Sequence, residues 1–434
     1  VASVVLIAGR DPRANPECSH CAYLRTQARA ALRAGHAVHM LCLAPRNATA
    51  ETDFGVVHTT ATAWRTLRQN RIAWFSPILA ARAAALVAAL GRERTVLHGV
   101  GVWGHAAARA DALLDGARAL VQGAYTTHLD ETASQWRGLS PAAGWRIRAR
   151  LAFELAWSRA VVSRYEAEAH RRARRVLVNY RAVQRLVARR FGVDAALVPH
   201  TAEQEFLDPR RARPGNRADA PGPARILCVA RHDPRKGIDV LLHALLRLKR
   251  QGRAFSATLV GGGALLEAHR ALARTLGLAD CVDIAGIVPR VEPYLDAADI
   301  FVLPSREEQS GSLALLEAMR AGLACVASGC DGIPEDVRHG EDVWLAAPGD
   351  AAALAAGLGV LIADPALRRS LAAGARQRFE QAFSADAMTA ALDRVYREVL
   401  AEARAEKHAR SAGLSRGAMH GPADGAARAP QTWR

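Results

Sequence analysis

Short apolar runs alternate with longer amphipathic stretches along most of the chain. Val4-Val5-Leu6-Ile7-Ala8 is an unbroken apolar run of strand length, the mark of a strand covered on both faces. Tyr23 to Ala34 has helical spacing and stops at Gly35, and Ala37 to Leu43 returns to strand character. Thr95-Val96-Leu97-His98 and Leu120 to Thr126 continue the series. In the second half, Ile226 to Ala230, Ala257 to Val260, Val282 to Ile284, Ile300 to Leu303 and Ala324 to Ala327 read as strands. Ile238 to Arg250, Leu265 to Leu276 and a segment starting near Leu313 read as helices between them. Strands alternating with helices predict an α/β protein with parallel sheets covered on both faces. Val1 to Ala8 has no basic residue ahead of its apolar run and is expected to be the first strand, not a secretory signal. No run of about 18 uncharged apolar residues occurs, so no membrane-spanning helix is expected.

The alternation breaks at Asp208 to Pro223, which holds Pro209, Pro214, Pro221 and Pro223 among many Arg. Such a stretch predicts a linker, dividing the chain into a domain at 1–207 and another at 224–386, and 434 residues suit two domains. A helix is expected over 387–403. After it the periodicity fades into Gly, Ala, Pro and Arg, so 404–434 is expected to be a disordered basic tail. Half the residues are hydrophobic, which excludes a disordered or collagen-like chain.

Charge changes the picture. The formal net charge is +16, but residues 1–200 carry 28 Arg against 13 acidic residues, while residues 201–400 are close to neutral. The excess peaks from Arg146 to Arg190, with 13 Arg opposed only by Glu154, Glu166 and Glu168. This asymmetry suggests a polyanionic partner for the first half. Equally, it fits a composition that spells basic residues as Arg, since Lys236, Lys249 and Lys407 are the only lysines. Leu151, Leu155, Val162 and Tyr165 recur at helical spacing among Arg148, Arg150, Arg159 and Arg164, and Trp64 to Phe75 is a second basic, aromatic segment. Basic amphipathic helices with Trp and Phe can lie on anionic bilayers; two core-packed helices with solvated Arg faces fit as well. No nucleic-acid module is recognisable, and none is expected to bind. Seven scattered cysteines point to a reducing compartment, and Cys18-x-x-Cys21 lacks the second pair that a structural zinc needs.

Two segments carry chemistry. Arg231-His232-Asp233-Pro234-Arg235-Lys236-Gly237 lies between a strand and a helix, where parallel sheets bind ligands. Arg231 and Lys236 place two cations there that suit a diphosphate. Pro304 to Met319 again follows a strand, and Ser310-Gly311-Ser312 precedes a helix whose free N–H groups attract phosphate or sugar oxygens. Glu317 sits among apolar residues of that helix, where a carboxylate is costly unless paired. The vicinal hydroxyls of a ribose would be suitable donors.

From about Ile226 to Leu400 the chain resembles the nucleotide-binding half of family 4 glycosyltransferases, the glycosyl transferases group 1. The matching features are Arg231…Lys236-Gly237, Gly261-Gly262-Gly263, Val282-x-x-x-Gly286, Ala298-Asp299-Ile300 before Pro304-Ser305, Leu316-Glu317-Ala318-Met319 and Gly332-Ile333-Pro334-Glu335. In the first half Gly35-His36-Ala37-Val38 and Thr127-His128 match more loosely. The resemblance implies the GT-B fold, two Rossmann-like domains facing across a cleft, with the helix near Ala387 to Leu400 crossing back to the first domain.

The resemblance also implies roles. Arg231 and Lys236 would hold the donor diphosphate and neutralise it as it leaves, in place of a metal. Glu317 would bind the ribose, and the loop at Ile287 and Val288 would face the base. Gly262 and the backbone at Ser310, Gly311, Ser312 and Leu313 would line the donor site, and His128 would approach from across the cleft. The family's first Glu, eight positions before Glu317, corresponds to Gln309, with Glu308 one step away, so either is a candidate catalytic residue. Ser310-Gly311-Ser312 replaces the family's Gly-Phe-Gly, and Asn15 to Cys21 replaces its Gly-rich first loop. The implied activity is retaining transfer of a sugar from a UDP- or GDP-type donor to a glycan or lipid-linked acceptor in cell-surface glycan synthesis, without cofactor or metal. The expected location is cytoplasmic or peripheral on the inner membrane face, with an anionic membrane surface as a further partner of the basic half. A nucleotide-sugar epimerase of the same fold and a catalytically degenerate scaffold are the alternatives.

Overall fold

A computed structural model describes residues 2–14, 19–62, 72–116, 119–137, 139, 144–208, 222–308 and 310–418. The first half builds an eight-stranded sheet from β1 (Ser3–Ile7), β2 (Ala37–Ala44), β3 (Ala48–Thr52), β4 (Gly55–Ala61), β5 (Thr95–Val100), β6 (Ala119–Gly123), β7 (Arg175–Val178) and β8 (Ala195–Leu197). Their order is β3-β4-β2-β1-β5-β6-β7-β8. All neighbours pair in parallel except β3, antiparallel to β4 at the edge. The second half builds a parallel six-stranded sheet from β9 (Ala224–Val229), β10 (Phe255–Val260), β11 (Val282–Gly286), β12 (Ile300–Leu303), β13 (Ala324–Ser328) and β14 (Trp344–Ala346), in the order β11-β10-β9-β12-β13-β14. Periodicity missed β3 and β4, which are partly exposed, and β7, β8 and β14, which are too short to show a period.

The unbroken run in β1 has a packing reason. Val4 and Leu6 join one buried cluster, and Val5 and Ile7 join another on the opposite face. Helix α1 (Ser19–Arg33) covers the first face; α2 (Ile72–Leu90) and α3 (Gly104–Leu113) cover the second. Helices α4 (His128–Arg137), α5 (Trp145–Trp157), α6 (Ser163–Arg172) and α7 (Arg181–Phe191) follow. A π-helical turn, Ser158–Val162, joins α5 to α6 and shifts the register between Leu155 and Val162. By length and composition α2 could cross a membrane. The run-length criterion overlooked it because Arg82 and Ser76 interrupt the apolar series. Here one face of α2 packs on the sheet and α3.

The last helix, Ala385–Ala418, returns to the first sheet. Met388, Leu392, Val395, Tyr396 and Val399 are buried in the same cluster as Val4, Leu6 and Leu24. The Tyr396 hydroxyl lies 2.8 Å from Nδ1 of fully buried His98. The expectation of disorder from residue 404 is corrected as far as Ala418. Arg404 donates to the Glu93 carbonyl oxygen at 3.1 Å, Lys407 pairs with Glu93, and Glu406 pairs with Arg174. Ion pairs thus replace the fading apolar periodicity. Residues 419–434 and most of the expected linker, 209–221, lie outside the described residues.

The two halves also meet directly. Tyr180, between β7 and α7, donates to Oδ2 of Asp336 at 2.9 Å. A side chain at Gly311 or Gly332 would collide with its ring, so the tyrosine occupies space those glycines leave. Glu335 accepts from the backbone N–H groups of Arg181 and Ala182 at 2.6 and 2.7 Å, capping α7 from the opposite domain.

Removing Tyr396 should loosen the return of the last helix. Tyr396→Ala is expected to cost about 3–5 kcal/mol of unfolding free energy, as large-to-small changes of buried aromatics do. Tyr396→Phe, which only takes a partner from His98, should cost about 1–3 kcal/mol. Urea unfolding followed by circular dichroism checks the ranking.

Candidate functional site

The loops leaving β9, β10, β11 and β12 gather at the carboxyl edge of the second sheet, the edge where such sheets bind ligands. After β9, Asp233 caps a turn of 3-10 helix, Pro234–Lys236, by accepting from Arg235 N. Gly237 follows at φ 61°, and a Cβ there would stand 2.1 Å from the Pro304 carbonyl oxygen. Only a residue without a side chain lets this turn press against the chain leaving β12. The neighbouring loops are tied the same way. Gly261 N donates to Gly286 O and His232 N to Gly262 O, both at 2.8 Å. A Cβ on Gly261 would meet Ala230 O at 2.0 Å, and one on Gly262 would meet the Ile287 side chain at 2.5 Å.

This packing brings Lys236 to Glu308. The ammonium donates to both carboxylate oxygens, at 2.6 and 2.7 Å, and the Ser305 hydroxyl donates to Oε1 at 2.5 Å. The Glu308 N–H donates to Oδ2 of Asp331 at 2.7 Å, and Asp331 itself sits at φ 48°. Glu308 is buried, and stranding one partner of such a buried pair costs about 3–5 kcal/mol. Arg231 stands apart, its side chain 59% exposed, with Asp233 of its own loop 3.2 Å away.

Ile287 is exposed beside Gly262, while Val288 packs into the apolar cluster with Leu316. Val288 therefore supports the loop from beneath and does not share Ile287's exposure. Ser310 O accepts from Gly332 N at 3.2 Å, and Ser312 caps the helix Leu313–Arg320 by accepting from Leu315 N. Glu317 lies on that helix, half-buried. Among the described residues its carboxylate accepts no hydrogen bond. Burial, with the Glu292 and Glu203 carboxylates nearby, pushes it up to about 7, against a smaller pull from Arg320.

His128 opens α4 on the other domain. Its N–H donates to Oε1 of Glu166 at 2.9 Å, and its Nδ1 is buried without a partner. Burial holds the imidazole below its usual range, opposed by Glu131 and Glu154. Burial also pushes Glu166 up to about 8, against the His128 N–H bond. Helix α4 lies against the Pro234–Lys236 turn, and its Ser134 and Arg137 bond Glu307. The structure thus joins Lys236 to Glu308 and Gly262 to Ile287, and sets α4 beside the turn that carries Lys236. No bond links Arg231, Glu317 or His128 to that pair among the described residues. Gln309 lies outside the described residues.

Sequence reasoning missed several members. Arg235, within the turn, is buried with its Nε unpartnered, and Ser305, Asp331, Tyr180 and Glu335 also shape the site. Arg235 stood in the basic loop, and Ser305 and Glu335 stood in the motifs that carry the resemblance, with no role implied for them; nothing in the one-dimensional pattern marks Asp331 or Tyr180, whose partners lie 23 and 156 positions away.

Residues 223–364 match the family model of Glycosyl transferases group 1. The amylovoran biosynthesis glycosyltransferase AmsK of Erwinia amylovora is 43% identical over 141 residues, 31% of this chain and 35% of AmsK. The GDP-mannose-dependent alpha-(1-6)-phosphatidylinositol monomannoside mannosyltransferase of Mycolicibacterium smegmatis is 32% identical over 201 residues, 43% of this chain and 52% of that protein. The matched part spans about a third to a half of these relatives. The solved sucrose-phosphate synthase of Thermosynechococcus elongatus superposes with a TM-score of 0.70 at 21% identity, over 92% of this chain and 100% of the synthase. By fold the chain is a GT-B protein, two parallel-sheet α/β domains. Residues 223–364 of its second half are similar to the group 1 glycosyltransferases.

Gly237→Ala tests the loop contact. The change puts a Cβ against Pro304 at a left-handed φ and should cost more than about 1 kcal/mol. It should also shift Lys236 from Glu308. A melting temperature equal to that of the parent chain would refute the contact.

Proposed function

We propose that the protein is a retaining glycosyltransferase that uses a nucleotide-diphosphate sugar to extend a cell-surface glycan. The observation that carries this reading is the convergence of Lys236, Glu308 and the glycine-lined loops at one sheet edge, in a half that matches group 1 glycosyltransferases. The donor diphosphate lies over Arg231 and Lys236, and these cations take up charge as the phosphate leaves, the part a metal ion plays in other transferases. Glu308 and Ser305 hold Lys236 in place, so little reorganisation is needed when that charge develops. The Glu317 carboxylate accepts from the ribose hydroxyls, Ile287 flanks the base, and the backbone from Ser310 to Leu313 borders the sugar. Helix α4 presents His128 toward the acceptor side of the cleft.

The relatives' names support the class of donor and acceptor: one is GDP-mannose-dependent and acts on a phosphatidylinositol monomannoside, and another serves amylovoran biosynthesis. A saccharide carried on a lipid at the cytoplasmic face of the membrane is the acceptor we favour, and the donor nucleotide is UDP or GDP.

Lys236→Ala and Glu317→Ala should each cut turnover by at least tenfold, about 1.4 kcal/mol of transition-state stabilisation. Assays of sugar transfer, with melting curves to confirm folding, measure this; near-parental rates in both variants would remove the site assignment. NMR of the product should show the donor's anomeric configuration kept, and inversion would refute the retaining mechanism.

Nucleotide binding should also depend on pH. With a free-protein value of about 7, Glu317 is increasingly protonated as pH falls below 7, and a protonated carboxyl is the poorer acceptor for two hydroxyl donors. The Kd for UDP or GDP should therefore rise as pH drops from about 8 to 6. Calorimetry on Glu317→Gln should show most of that dependence gone.

A further inference from the structure

The outward face of α2 is apolar along its length. Trp74, Pro77, Ile78, Ala81, Ala85 and Ala88 are exposed and recur three or four positions apart, so they form one stripe. Trp74 is 62% and Ile78 45% exposed. The one charged residue of α2, Arg82, leans off this stripe and donates to Asn47 Oδ1 at 3.0 Å. A solvent-facing helix surface without charge is unusual for a protein that has no partner there.

The stripe continues onto α5. Trp74 stacks on Trp157, with ring centroids 6.1 Å apart and planes 8° from parallel, and Trp157 stacks on Phe153 at 6.3 Å. Phe153 is 63% exposed, and Trp145 and Ile147 are exposed at the start of the same helix. Arg146 stands over the Trp145 ring, 5.5 Å from its centroid, and further arginines follow along the same run of helices. Arg146, Arg150, Arg159 and Arg164 are all exposed. Arg150 lies 3.5 Å from Glu154, whereas Arg159 and Arg164 have no carboxylate partner among the described residues.

We infer that the joined faces of α2 and α5 dock on an anionic phospholipid bilayer. The complementarity is double: guanidinium groups meet lipid phosphates, and the Trp, Phe and Ile side chains enter the boundary between headgroups and acyl chains. A second copy related by a two-fold axis would set Arg against Arg across the same patch. A nucleic acid would meet the cations but leave the Ile and Ala stripe uncompensated. The position bears on catalysis, a consequence that rests on the transferase reading. Helix α5 packs on α4, so a docked bilayer would lie one helix from His128, where a lipid-carried acceptor would reach the cleft.

Co-sedimentation with vesicles of phosphatidylglycerol and phosphatidylcholine, against vesicles of phosphatidylcholine alone, tests the inference. The protein should partition onto the anionic vesicles and be released as NaCl rises from about 50 to about 500 mM. Arg159→Glu with Arg164→Glu, and separately Trp74→Ser with Phe153→Ser, should each lower partitioning at least tenfold. Both variants should keep the parental melting temperature and its rise with UDP or GDP, which reads the donor half independently. Equal binding to both vesicle types, no binding, or unchanged binding by both variants would overturn the inference. So would a dimer dispersed by the Trp74 and Phe153 changes, which would assign the face to a second copy, or preferential capture of RNA over vesicles. A protein that binds vesicles but no nucleotide would instead refute the donor reading and leave the docking surface standing.

Discussion

Gly237 holds its Cα where a side chain would lie 2.1 Å from the Pro304 carbonyl oxygen, and the site depends on that closeness. Two loops that leave neighbouring strands β9 and β12 touch backbone to backbone, and the residues next to the contact, Lys236 and Glu308, are driven into a buried ion pair. An ammonium and a carboxylate could not be carried into that position separately, because each alone would bear the cost of leaving water. Gly261 and Gly262 repeat the device against Ala230 and Ile287, so the four loops leaving β9, β10, β11 and β12 form one packed edge.

The cleft wall opposite is built by reciprocal insertion. Tyr180 of the first domain fills the space left by Gly311 and Gly332, and Glu335 of the second domain caps α7 of the first. Burial also leaves carboxyls at this boundary that hold protons far above their usual range: Glu166 at about 8, Glu317 at about 7 and Asp336 at about 7. Such groups oppose stability once ionised. Their penalty is absent below about pH 4, grows as the unfolded chain loses protons first, and is complete above about pH 8. Groups of this kind gather at functional sites, where a ligand can supply the donors the protein withholds.

The charge of the first half looks different once side chains are placed. Much of it is spent on internal partners: Arg25 and Arg29 on Glu203, Arg174 on Glu406, Arg190 on Asp130. Among the arginines left without a carboxylate partner among the described residues, Arg159 and Arg164 follow the aromatic face of α5, while others such as Arg46, Arg109 and Arg189 stand elsewhere on the surface. A count of charges along the chain shows the excess but not its placement. The aromatic segment Trp64 to Phe75 was legible as basic and aromatic, yet only the packing separates exposed Trp74 from buried Phe75; residues 64–71 lie outside the described residues.

By itself the sequence determined the local elements and their alternation, because a buried parallel strand needs a continuous apolar run and its covering helices need a period near 3.6. The basic loop at Arg231 to Gly237 and the helix bearing Glu317 were equally legible, since both follow directly from the residues beside a strand end. Edge strand β3 and short β7, β8 and β14 were not, since partly exposed or three- to four-residue strands leave no period to read. The tertiary structure alone decided that Glu308 is Lys236's partner across 72 positions, that Tyr180 seats between two distant glycines, and that the last helix completes the first core through Tyr396. Each of these is a contact between residues far apart in the chain, set by how the sheets twist and pack, and no local pattern encodes such a distance.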